Sequence, residues 1–402
     1  GRCAKRRICS DGAPSQTSGK RRKSGSRGTR RMKDLGIYIH VPFCNARCTY
    51  CDFVSSVSSD DVKADYFTRL MRDIVLFSER KFAEGYTVTS IYFGGGTPSC
   101  VNAAHISAVL EELSGRFAFS SDAEITMEAN PESLTEDKAA IYAAAGINRV
   151  SMGLQSATDS LLAKIGRLHS RSDFLKAADI AQKYFSNVSA DIMLALPDQT
   201  ERDVSEAVEL LTERKFGHVS VYSLKVEERT PLAASGYAPD EDFAADLYSL
   251  ARGMLTGRGY RGYEVSNFAL PGRECRHNMR YWTRGEYIGF GASAHSFFRN
   301  ERFAVTNDIR AYINGEGITE RRYIDPHGDE AAEETLMLAL RTSDGLDISA
   351  YKGLFGRDIL AEKKNEIAML SDSGFINVSD DRLRITDKGL YVMNEIIVRL
   401  LP

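Results

Sequence analysis

The stretch Gly36-Ile-Tyr-Ile-His-Val-Pro-Phe-Cys-Asn-Ala-Arg-Cys-Thr-Tyr-Cys-Asp-Phe53 joins a strand-like apolar run to three closely spaced cysteines, Cys44, Cys48 and Cys51. Three thiolates on one short loop can hold three corners of a cubane iron–sulfur cluster and leave the fourth iron open, since such clusters usually have four cysteine ligands. A zinc site would need a fourth protein ligand and commonly uses CxxC pairs, and this sequence has no second pair. The alternative is a loop of incidental cysteines. The spacing favours a [4Fe–4S] cluster with one exchangeable iron.

Strand-like and helix-like segments alternate after this loop. Six apolar, β-branched runs predict strands: 36–43, 88–93, 124–130, 149–155, 187–196 and 218–226. Five stretches between them space apolar residues three and four apart, as amphipathic helices do: 61–84, 103–115, 135–145, 170–184 and 201–215. Strands that alternate with helices predict parallel βα units and therefore an α/β fold.

Further motifs stand in a fixed order downstream of the cysteines. They are Gly94-Gly-Gly-Thr-Pro98, Glu128-Ala-Asn-Pro131, Ser151-Met-Gly-Leu-Gln155, Gly166-Arg-Leu-His169, Asp191-Ile-Met-Leu-Ala-Leu-Pro197 and His277-Asn-Met-Arg-Tyr-Trp282. Together with the cysteine loop, this order resembles the oxygen-independent coproporphyrinogen dehydrogenase family of the radical S-adenosylmethionine (SAM) superfamily. It is more closely similar to the HemW-type haem-chaperone branch of that family. The match runs from about residue 36 to the C-terminus, far more than one short motif supplies by chance.

The resemblance implies a partial (β/α)₆ TIM-like radical SAM barrel followed by a C-terminal α+β winged-helix-like domain. We expect residues 1–33 to form a disordered basic leader, 34–270 the barrel, 271–328 a barrel-end extension and 329–402 the C-terminal domain. In that last domain we expect helices at 330–340, 358–371 and 387–401 and a small hairpin between them. Functional groups of such barrels collect at the C-terminal ends of the strands, where most of the motifs fall.

The resemblance also implies a SAM site at those strand ends. The amino and carboxylate groups of SAM would chelate the open iron, and the glycine segment would bind its methionine end. The positions that resemble SAM contacts are Tyr38, Gly95, Gly96, Thr97, Glu128, Gln155, Arg167 and Asp191. A carboxylate suits an ammonium or ribose hydroxyl and an arginine suits a carboxylate, although each residue alone could equally form a barrel salt bridge. The implied chemistry is reductive cleavage of SAM to methionine and a 5′-deoxyadenosyl radical; no catalytic residue is assigned.

Two departures separate the chain from the dehydrogenase. Phe53 stands where the dehydrogenase has a further cysteine, and the C-terminal half carries the pattern that resembles the haem-chaperone branch. The haem-binding candidates in that pattern are Cys275, His277, Tyr281, Trp282 and His295. An imidazole or a thiolate can ligate haem iron, and aromatic rings offer a flat apolar surface to a porphyrin. The alternative for either histidine is a hydrogen-bonded structural role.

Charge is unevenly distributed along the chain. Residues 1–33 contain twelve Lys or Arg and one acidic residue, so the remainder carries about −14 although the whole chain carries −3. That surplus of acidic groups disfavours nonspecific nucleic-acid binding. The leader lacks apolar periodicity, which predicts disorder, and lacks the hydrophobic stretch of a secretory signal. A mitochondrial transit peptide would have an amphipathic stripe, which is missing, and we expect Met32 to be the natural start.

These features predict a cytoplasmic haem chaperone that binds haem, SAM and a [4Fe–4S] cluster and delivers haem to recipient haemoproteins. The clustered cysteines suit a reducing compartment. The sequence has no run of eighteen apolar residues, so we expect no membrane-spanning helix. We expect an electron donor if SAM is cleaved. Any membrane contact would be peripheral and made through the recipients, and we expect no nucleic-acid partner. The alternative function is enzymatic conversion of coproporphyrinogen III to protoporphyrinogen IX. A third is another radical SAM alkylation or methylation.

Overall fold

A computed structural model describes residues 32–401 of the protein. The leader that the sequence predicts to be disordered therefore lies, apart from Met32 and Lys33, outside the described residues. Within residues 32–401, no helix is both long enough and apolar enough to cross a membrane.

One twelve-stranded sheet organises most of the described chain. Its strands are β1 Lys33–Val41, β2 Tyr86–Gly95, β3 Phe119–Ala129, β4 Arg149–Gln155, β5 Asn187–Leu194, β6 His218–Ser223, β7 Arg261–Gly262, β8 Asn267–Ala269, β9 Tyr287–Phe290, β10 His295–Phe298, β11 Glu301–Val305 and β12 Ile318–Tyr323. The spatial order is β12-β11-β10-β9-β1-β2-β3-β4-β5-β6-β8-β7. The six predicted strands, β1 to β6, are parallel neighbours. This confirms the predicted α/β class.

The sheet is larger than the six strands that the sequence predicts. Strand β9 pairs in parallel with β1 and adds a seventh parallel strand. Antiparallel strands β10 to β12 continue beyond β9, and β8 and β7 flank β6 at the other edge. Much of the segment 271–328, predicted as a barrel-end extension, therefore contributes strands to the same sheet.

Ten helices accompany this sheet in the described chain. They are α1 Asp60–Glu79, α2 Ala103–Arg116, α3 Glu136–Ala144, α4 Asp159–Lys164, α5 Arg171–Tyr184, α6 Glu201–Glu213, α7 Pro231–Ala234, α8 Glu241–Gly257, α9 Arg276–Trp282 and α10 Ile309–Ile313, and a 3₁₀ turn spans Pro98–Cys100. Local sequence sets several of the helix starts. Ser170 with Asp173, and Thr200 with Asp203, form capping boxes that satisfy the free N–H groups at the starts of α5 and α6.

Alternation along the strands separates an apolar layer from a polar lumen. On β2, Ile91 and Phe93 belong to the main hydrophobic core. The intervening Tyr92 faces the other way, where its ring stacks on Tyr38 and its hydroxyl reaches Glu128 of β3. Successive strand residues point to opposite faces of a sheet. The lumen is therefore lined by the polar residues of β1 to β6.

The C-terminal part of the chain has its own core. It contains α11 Asp329–Ala339, α12 Ile348–Phe355, α13 Ile359–Glu362, α14 Lys364–Asp372 and α15 Met393–Leu400, with a three-stranded sheet of β13 Leu346–Asp347, β15 Arg382–Ile385 and β14 Ile376–Ser379. The predicted hairpin is β14–β15, whereas the predicted helix at 358–371 is divided into α13 and α14. The last helix starts at Met393, after a short 3₁₀ turn, and so later than predicted. The exact domain boundaries stay a prediction.

Candidate functional site

The three cysteines lie side by side on the loop that follows β1. All three are free, half-buried thiols. The Thr97 hydroxyl donates to Cys44 Sγ at 3.4 Å, and an Arg167 guanidinium nitrogen donates to Cys48 Sγ at 3.7 Å. Two of the three sulfurs therefore each have a polar donor beside them. The donor set is therefore that of a soft metal centre.

The arrangement fits a cluster in which each thiolate binds a different iron. Within residues 32–401, no group of three His, Cys, Asp or Glu side chains is placed to hold one metal ion. Ligands of a cubane cluster need not converge on one point, because each sulfur binds its own iron atom. Three neighbouring thiols with polar donors from Thr97 and Arg167 provide that kind of ligand set.

The glycine segment at the end of β2 presses against the cysteine loop. Gly96 N–H donates to the Val41 carbonyl at 2.9 Å, and Thr97 N–H donates to the Phe43 carbonyl at 2.7 Å. A Cβ at Gly96 would lie 2.6 Å from the Phe43 carbonyl oxygen. Gly95 has φ +112°, and its Cβ would lie 2.5 Å from the ring of His40. Only glycine fits such a close approach to the cysteine loop, and the binding of SAM by this segment stays a prediction.

Glu128 lies next to this segment on the inner face of β3. Its carboxylate accepts a hydrogen bond from the Tyr92 hydroxyl at 2.9 Å and one from Gly95 N–H at 3.2 Å. Burial raises the pKa of Glu128 to about 7, the negative charge of Asp191 adds to the rise, and the Tyr92 hydrogen bond opposes it. Burial likewise raises the pKa of Asp191. The lumen thus holds two carboxyl groups that a cationic ligand would stabilise in their charged form.

Gln155 and Arg167 meet at the end of β4. A Cβ at Gly153 would lie 2.7 Å from the Gln155 amide nitrogen and 2.9 Å from an Arg167 nitrogen. Arg167 also donates to the Gly153 carbonyl at 3.0 Å, and its buried Nε has no hydrogen-bond partner among the described residues. On the neighbouring strand, Asp191 pairs with Gly153 and accepts from the Ser151 hydroxyl at 3.4 Å.

Tyr38 lies on the same inner face, on β1. Its hydroxyl is 3.1 Å from His40 Nδ1, and its ring stacks on Tyr92. The structure thus brings the predicted SAM residues to the lumen and to the strand ends around the cysteine loop. Their contact with SAM stays a prediction.

Two residues of this site were missed in the sequence. Asn130 bridges the site, donating to the Thr97 hydroxyl at 3.2 Å and accepting from Arg167 at 2.9 Å. Tyr92 holds Glu128. Signals existed for both, because Asn130 belongs to the motif that contains Glu128 and Tyr92 shares an alternation face with Gly94.

The haem-binding candidates lie on and around helix α9 and at the start of β10. Cys275 and His277 are fully buried at the start of α9. His277 Nδ1 is 2.9 Å from the Ser90 hydroxyl and Nε2 is 2.8 Å from the Tyr281 hydroxyl, while the ring stacks on Tyr92. Both imidazole nitrogens are therefore engaged. The Cys275 thiol donates to the Glu124 carboxylate at 3.5 Å, and burial raises the pKa of Cys275 to about 12.

The other candidates lie elsewhere in the fold. Trp282, at the end of α9, lines a cleft of about 370 Å³ against the C-terminal part of the chain. His295 is exposed at the start of β10. Burial lowers the pKa of His40 to about 4, and the charge of His295 contributes to that effect. Helix α9 thus turns His277 into the lumen and Trp282 away from it, and haem binding by these residues stays a prediction.

Comparison with known families identifies two parts of the chain. The model described as the radical SAM superfamily matches residues 38–211, and the HemN C-terminal domain matches residues 327–392. The solved structure of coproporphyrinogen III oxidase (HemN) from Escherichia coli aligns with a TM-score of 0.81 at 23% identity and covers 92% of this chain and 91% of that chain. At that identity the likeness shows the radical SAM fold with its C-terminal domain.

Curated relatives extend the match over nearly the whole chain. The heme chaperone HemW of Escherichia coli (strain K12) is 32% identical and covers 91% of this chain and 98% of the relative. The heme chaperone HemW of Bacillus subtilis (strain 168) is 31% identical, covering 89% and 97%. The radical S-adenosyl methionine domain-containing protein 1, mitochondrial, of Bos taurus is 33% identical, covering 91% and 87%. The chain belongs to the HemW family of radical SAM proteins.

Proposed function

We propose that this protein is a haem chaperone that binds haem, SAM and a [4Fe–4S] cluster and delivers haem to recipient haemoproteins. The observation that carries the proposal is the 32% identity to the heme chaperone HemW of Escherichia coli over 98% of that relative. Phe53, which replaces the further cysteine of the dehydrogenase pattern, supports the same assignment.

Each part of the site has a role in this proposal. Cys44, Cys48 and Cys51 would hold three irons of the cluster, and the Gly95–Thr97 backbone would accept the methionine end of SAM. When bound together, the cluster and SAM supply reductive cleavage chemistry. Glu128, with its pKa near 7, would become charged beside the positively charged sulfonium compound SAM, because an opposite charge favours the ionised carboxylate.

Anaerobic reconstitution tests the cluster. The wild-type chain should take up about four irons and four sulfides, as a cubane cluster requires. Replacing any one of Cys44, Cys48 and Cys51 by alanine should abolish cluster binding, while Cys100→Ala, a half-buried thiol outside the loop, should leave it unchanged. Equal iron content in the wild type and the triple variant would contradict the assignment.

The second candidate function is enzymatic oxidation of coproporphyrinogen III, which the fold shared with HemN favours. The reconstituted protein should therefore be given coproporphyrinogen III, SAM and a reductant, and separately haem followed by an apo-haemoprotein. We expect haem uptake and transfer without protoporphyrinogen. Formation of protoporphyrinogen at turnover rates would replace the chaperone with the dehydrogenase.

The cytoplasmic location and the partners remain part of this proposal. Recipient haemoproteins are expected, with an electron donor if SAM is cleaved. Two relatives carry "mitochondrial" in their names, so the alternative location is that organelle. Fractionation of cells that express the full-length chain, with residues 1–31 present or deleted, separates the two: cytoplasmic recovery of both forms supports the proposal, and leader-dependent organellar recovery contradicts it.

A further inference from the structure

A series of aromatic rings runs from β2 through α9 to β9. The ring of Tyr92 stacks on that of His277 with their centroids 5.4 Å apart, and the His277 ring meets Tyr281 at 5.1 Å. Tyr281 in turn meets Tyr287 edge-on at 4.7 Å. These separations lie within the range of about 4.5–7 Å that is usual for aromatic pairs. The four rings, here called the aromatic series, therefore form one continuous contact path from the inner face of the barrel to half-buried Tyr287.

Two phenols of the aromatic series are hydrogen-bonded to a group that can take up a proton. The Tyr92 hydroxyl donates to the Glu128 carboxylate at 2.9 Å, and the Tyr281 hydroxyl lies 2.8 Å from His277 Nε2. Several tyrosines outside the series donate instead to backbone carbonyls, which cannot take up a proton: Tyr66, Tyr237, Tyr248 and Tyr260. A neutral tyrosyl radical forms only if the phenolic proton leaves with the electron. Tyr92 and Tyr281 therefore have the partners that oxidation of a tyrosine requires.

The protonation states of these groups suit such a transfer. Burial lowers the pKa of His277 to about 3, so the imidazole is neutral, and Nε2 can accept from Tyr281 while Nδ1 donates to the Ser90 hydroxyl. Burial raises the pKa of Glu128 to about 7, so this carboxyl group can gain or release a proton near neutral pH. Burial also raises the pKa values of Tyr92 and Tyr281 well above their usual range. Neither phenol therefore ionises by itself, and its proton leaves only together with an electron.

We propose that Tyr92, Tyr281 and Tyr287 form a relay that carries an oxidising equivalent out of the lumen to a reductant at the surface. Only the source of that equivalent, a carbon-centred radical left without a substrate, rests on the proposed SAM chemistry. A site that generates radicals has to keep them from side reactions. The relay removes such a radical without leaving an unpaired charge in the core, because each phenol loses its proton together with its electron.

Atoms and electrons balance along the relay. Tyr92 gives a hydrogen atom to the radical: its O–H bond breaks, a C–H bond forms, and Tyr92 is left as a neutral tyrosyl radical. Glu128 returns a proton to Tyr92 and is itself reprotonated from solvent, to which it is partly exposed. The refilling electron comes from Tyr281 across the His277 ring. Tyr281 passes its proton to His277 Nε2 and recovers it when Tyr287 supplies the next electron. Tyr287 releases its proton to solvent and takes a hydrogen atom from a low-molecular-weight thiol, which leaves as a thiyl radical.

The relay can be tested without any cofactor, because the single tryptophan of the chain, Trp282, follows Tyr281 directly. Azide radicals made by pulse radiolysis oxidise tryptophan in preference to tyrosine at neutral pH, and so place the oxidising equivalent on Trp282 of the full-length chain. In wild type, the indolyl absorption should decay and the tyrosyl absorption should grow with one shared first-order rate. Tyr281→Phe should abolish that growth. Heavy water should slow the growth in wild type, because a proton moves with the electron.

Two control variants separate the relay from other phenols. Tyr312→Phe removes a phenol that donates to Asp73 outside the aromatic series, and Tyr351→Phe removes a tyrosine that lines the same cleft as Trp282. Neither should alter the rate of tyrosyl growth. Growth that persists in folded Tyr281→Phe, or that is lost in Tyr351→Phe, would overturn the relay. If circular dichroism shows that Tyr281→Phe does not fold, equal rates in light and heavy water for wild type would overturn it instead.

The lumen end of the relay is tested in the reconstituted full chain with SAM and dithionite. A tyrosyl signal in electron paramagnetic resonance should accompany the formation of 5′-deoxyadenosine. In Tyr92→Phe, that signal should be lost relative to the 5′-deoxyadenosine that is formed. Formation of 5′-deoxyadenosine by wild type without any tyrosyl signal contradicts the relay. Absence of 5′-deoxyadenosine contradicts the proposed SAM chemistry instead, and the radiolysis result then decides the relay by itself.

Discussion

At the scale of single residues, the ionisation of Glu128 makes the stability of the fold depend on pH. The folded chain holds its proton up to about pH 7, whereas the ordinary value is 4.5. Between these values the folded state binds more protons than the unfolded state. The stability that this group contributes is therefore complete below about pH 4.5 and is lost as the pH rises through 7.

Glu128→Gln should remove this pH dependence, because the amide keeps the shape of the side chain but does not ionise. In the absence of SAM, we expect the free energy of unfolding of the variant, relative to wild type, to rise by about 2–3 kcal/mol between pH 5 and pH 8. Urea unfolding at several pH values measures it. Glu213→Gln, at an exposed position on α6, serves as the control and should show no such gain. A stability difference that does not vary with pH would contradict the assignment.

Thr97 is expected to tune the cluster without binding it. Its hydroxyl donates to Cys44 Sγ, and hydrogen bonds to cluster sulfurs raise the reduction potential. Thr97→Val should therefore keep the cluster but shift its midpoint potential to a more negative value. Thr97→Ser retains the hydroxyl and should stay near wild type. Redox titration followed by electron paramagnetic resonance gives the comparison, and equal potentials in Val and Ser variants would refute the role.

At the scale of elements, helix α9 closes the lumen on its amino-terminal side. Its start is held by Glu124, whose carboxylate accepts from the N–H groups of Arg276 and His277 at 3.1 and 3.0 Å. His277 adds hydrogen bonds to Ser90 and Tyr281. The helix has only seven residues, so these contacts hold it in place more than its own hydrogen bonds do.

His277→Ala should lower the free energy of unfolding by about 2–4 kcal/mol, through a cavity and two lost hydrogen bonds. Haem affinity per folded molecule is the second measurement: a purely structural role of His277 predicts an affinity within about twofold of wild type. His105→Ala, a half-buried histidine of α2, is the matched control for stability. A loss of haem affinity in His277→Ala without destabilisation would instead support His277 as a haem ligand.

At the scale of the whole molecule, the barrel and the C-terminal part are joined through a few defined contacts. Val265, after β7, packs into the second core, and its N–H donates to the Arg341 carbonyl at 3.1 Å. Glu334 of α11 accepts from Arg284 at 2.5 Å with one oxygen and pairs with Arg302 through the other. These contacts hold the cleft in which Trp282 lies.

Glu334→Ala should loosen this junction, because it leaves two partly buried arginines without their partner. We expect a loss of about 2 kcal/mol in stability. Trp282 is the single tryptophan of the chain, so its fluorescence should shift to longer wavelength as the cleft opens to water. Glu333→Ala changes the neighbouring residue, which forms no ion pair among the described residues, and should show neither effect. An unchanged emission maximum in Glu334→Ala would contradict the role of this pair.

The regular elements of the barrel could be predicted because each carries its own periodicity. The predicted strand at 149–155 is observed as Arg149–Gln155, and α2 and α5 agree within one residue. Strand β9 was not predicted as part of the sheet. It has four residues, Tyr-Ile-Gly-Phe, and its pairing with β1 is made across about 250 residues of chain. Such a short strand gains its stability from the partner rather than from local sequence.

The sequence by itself indicated the candidate cluster ligands and the place of the SAM candidates, because their signals are local. A CxxxCxxC loop carries its ligands within eight residues, and parallel strands bring their carboxyl ends to one edge. Only the tertiary structure showed that His277 and Trp282 face different sides, since that depends on how a seven-residue helix packs against the sheet.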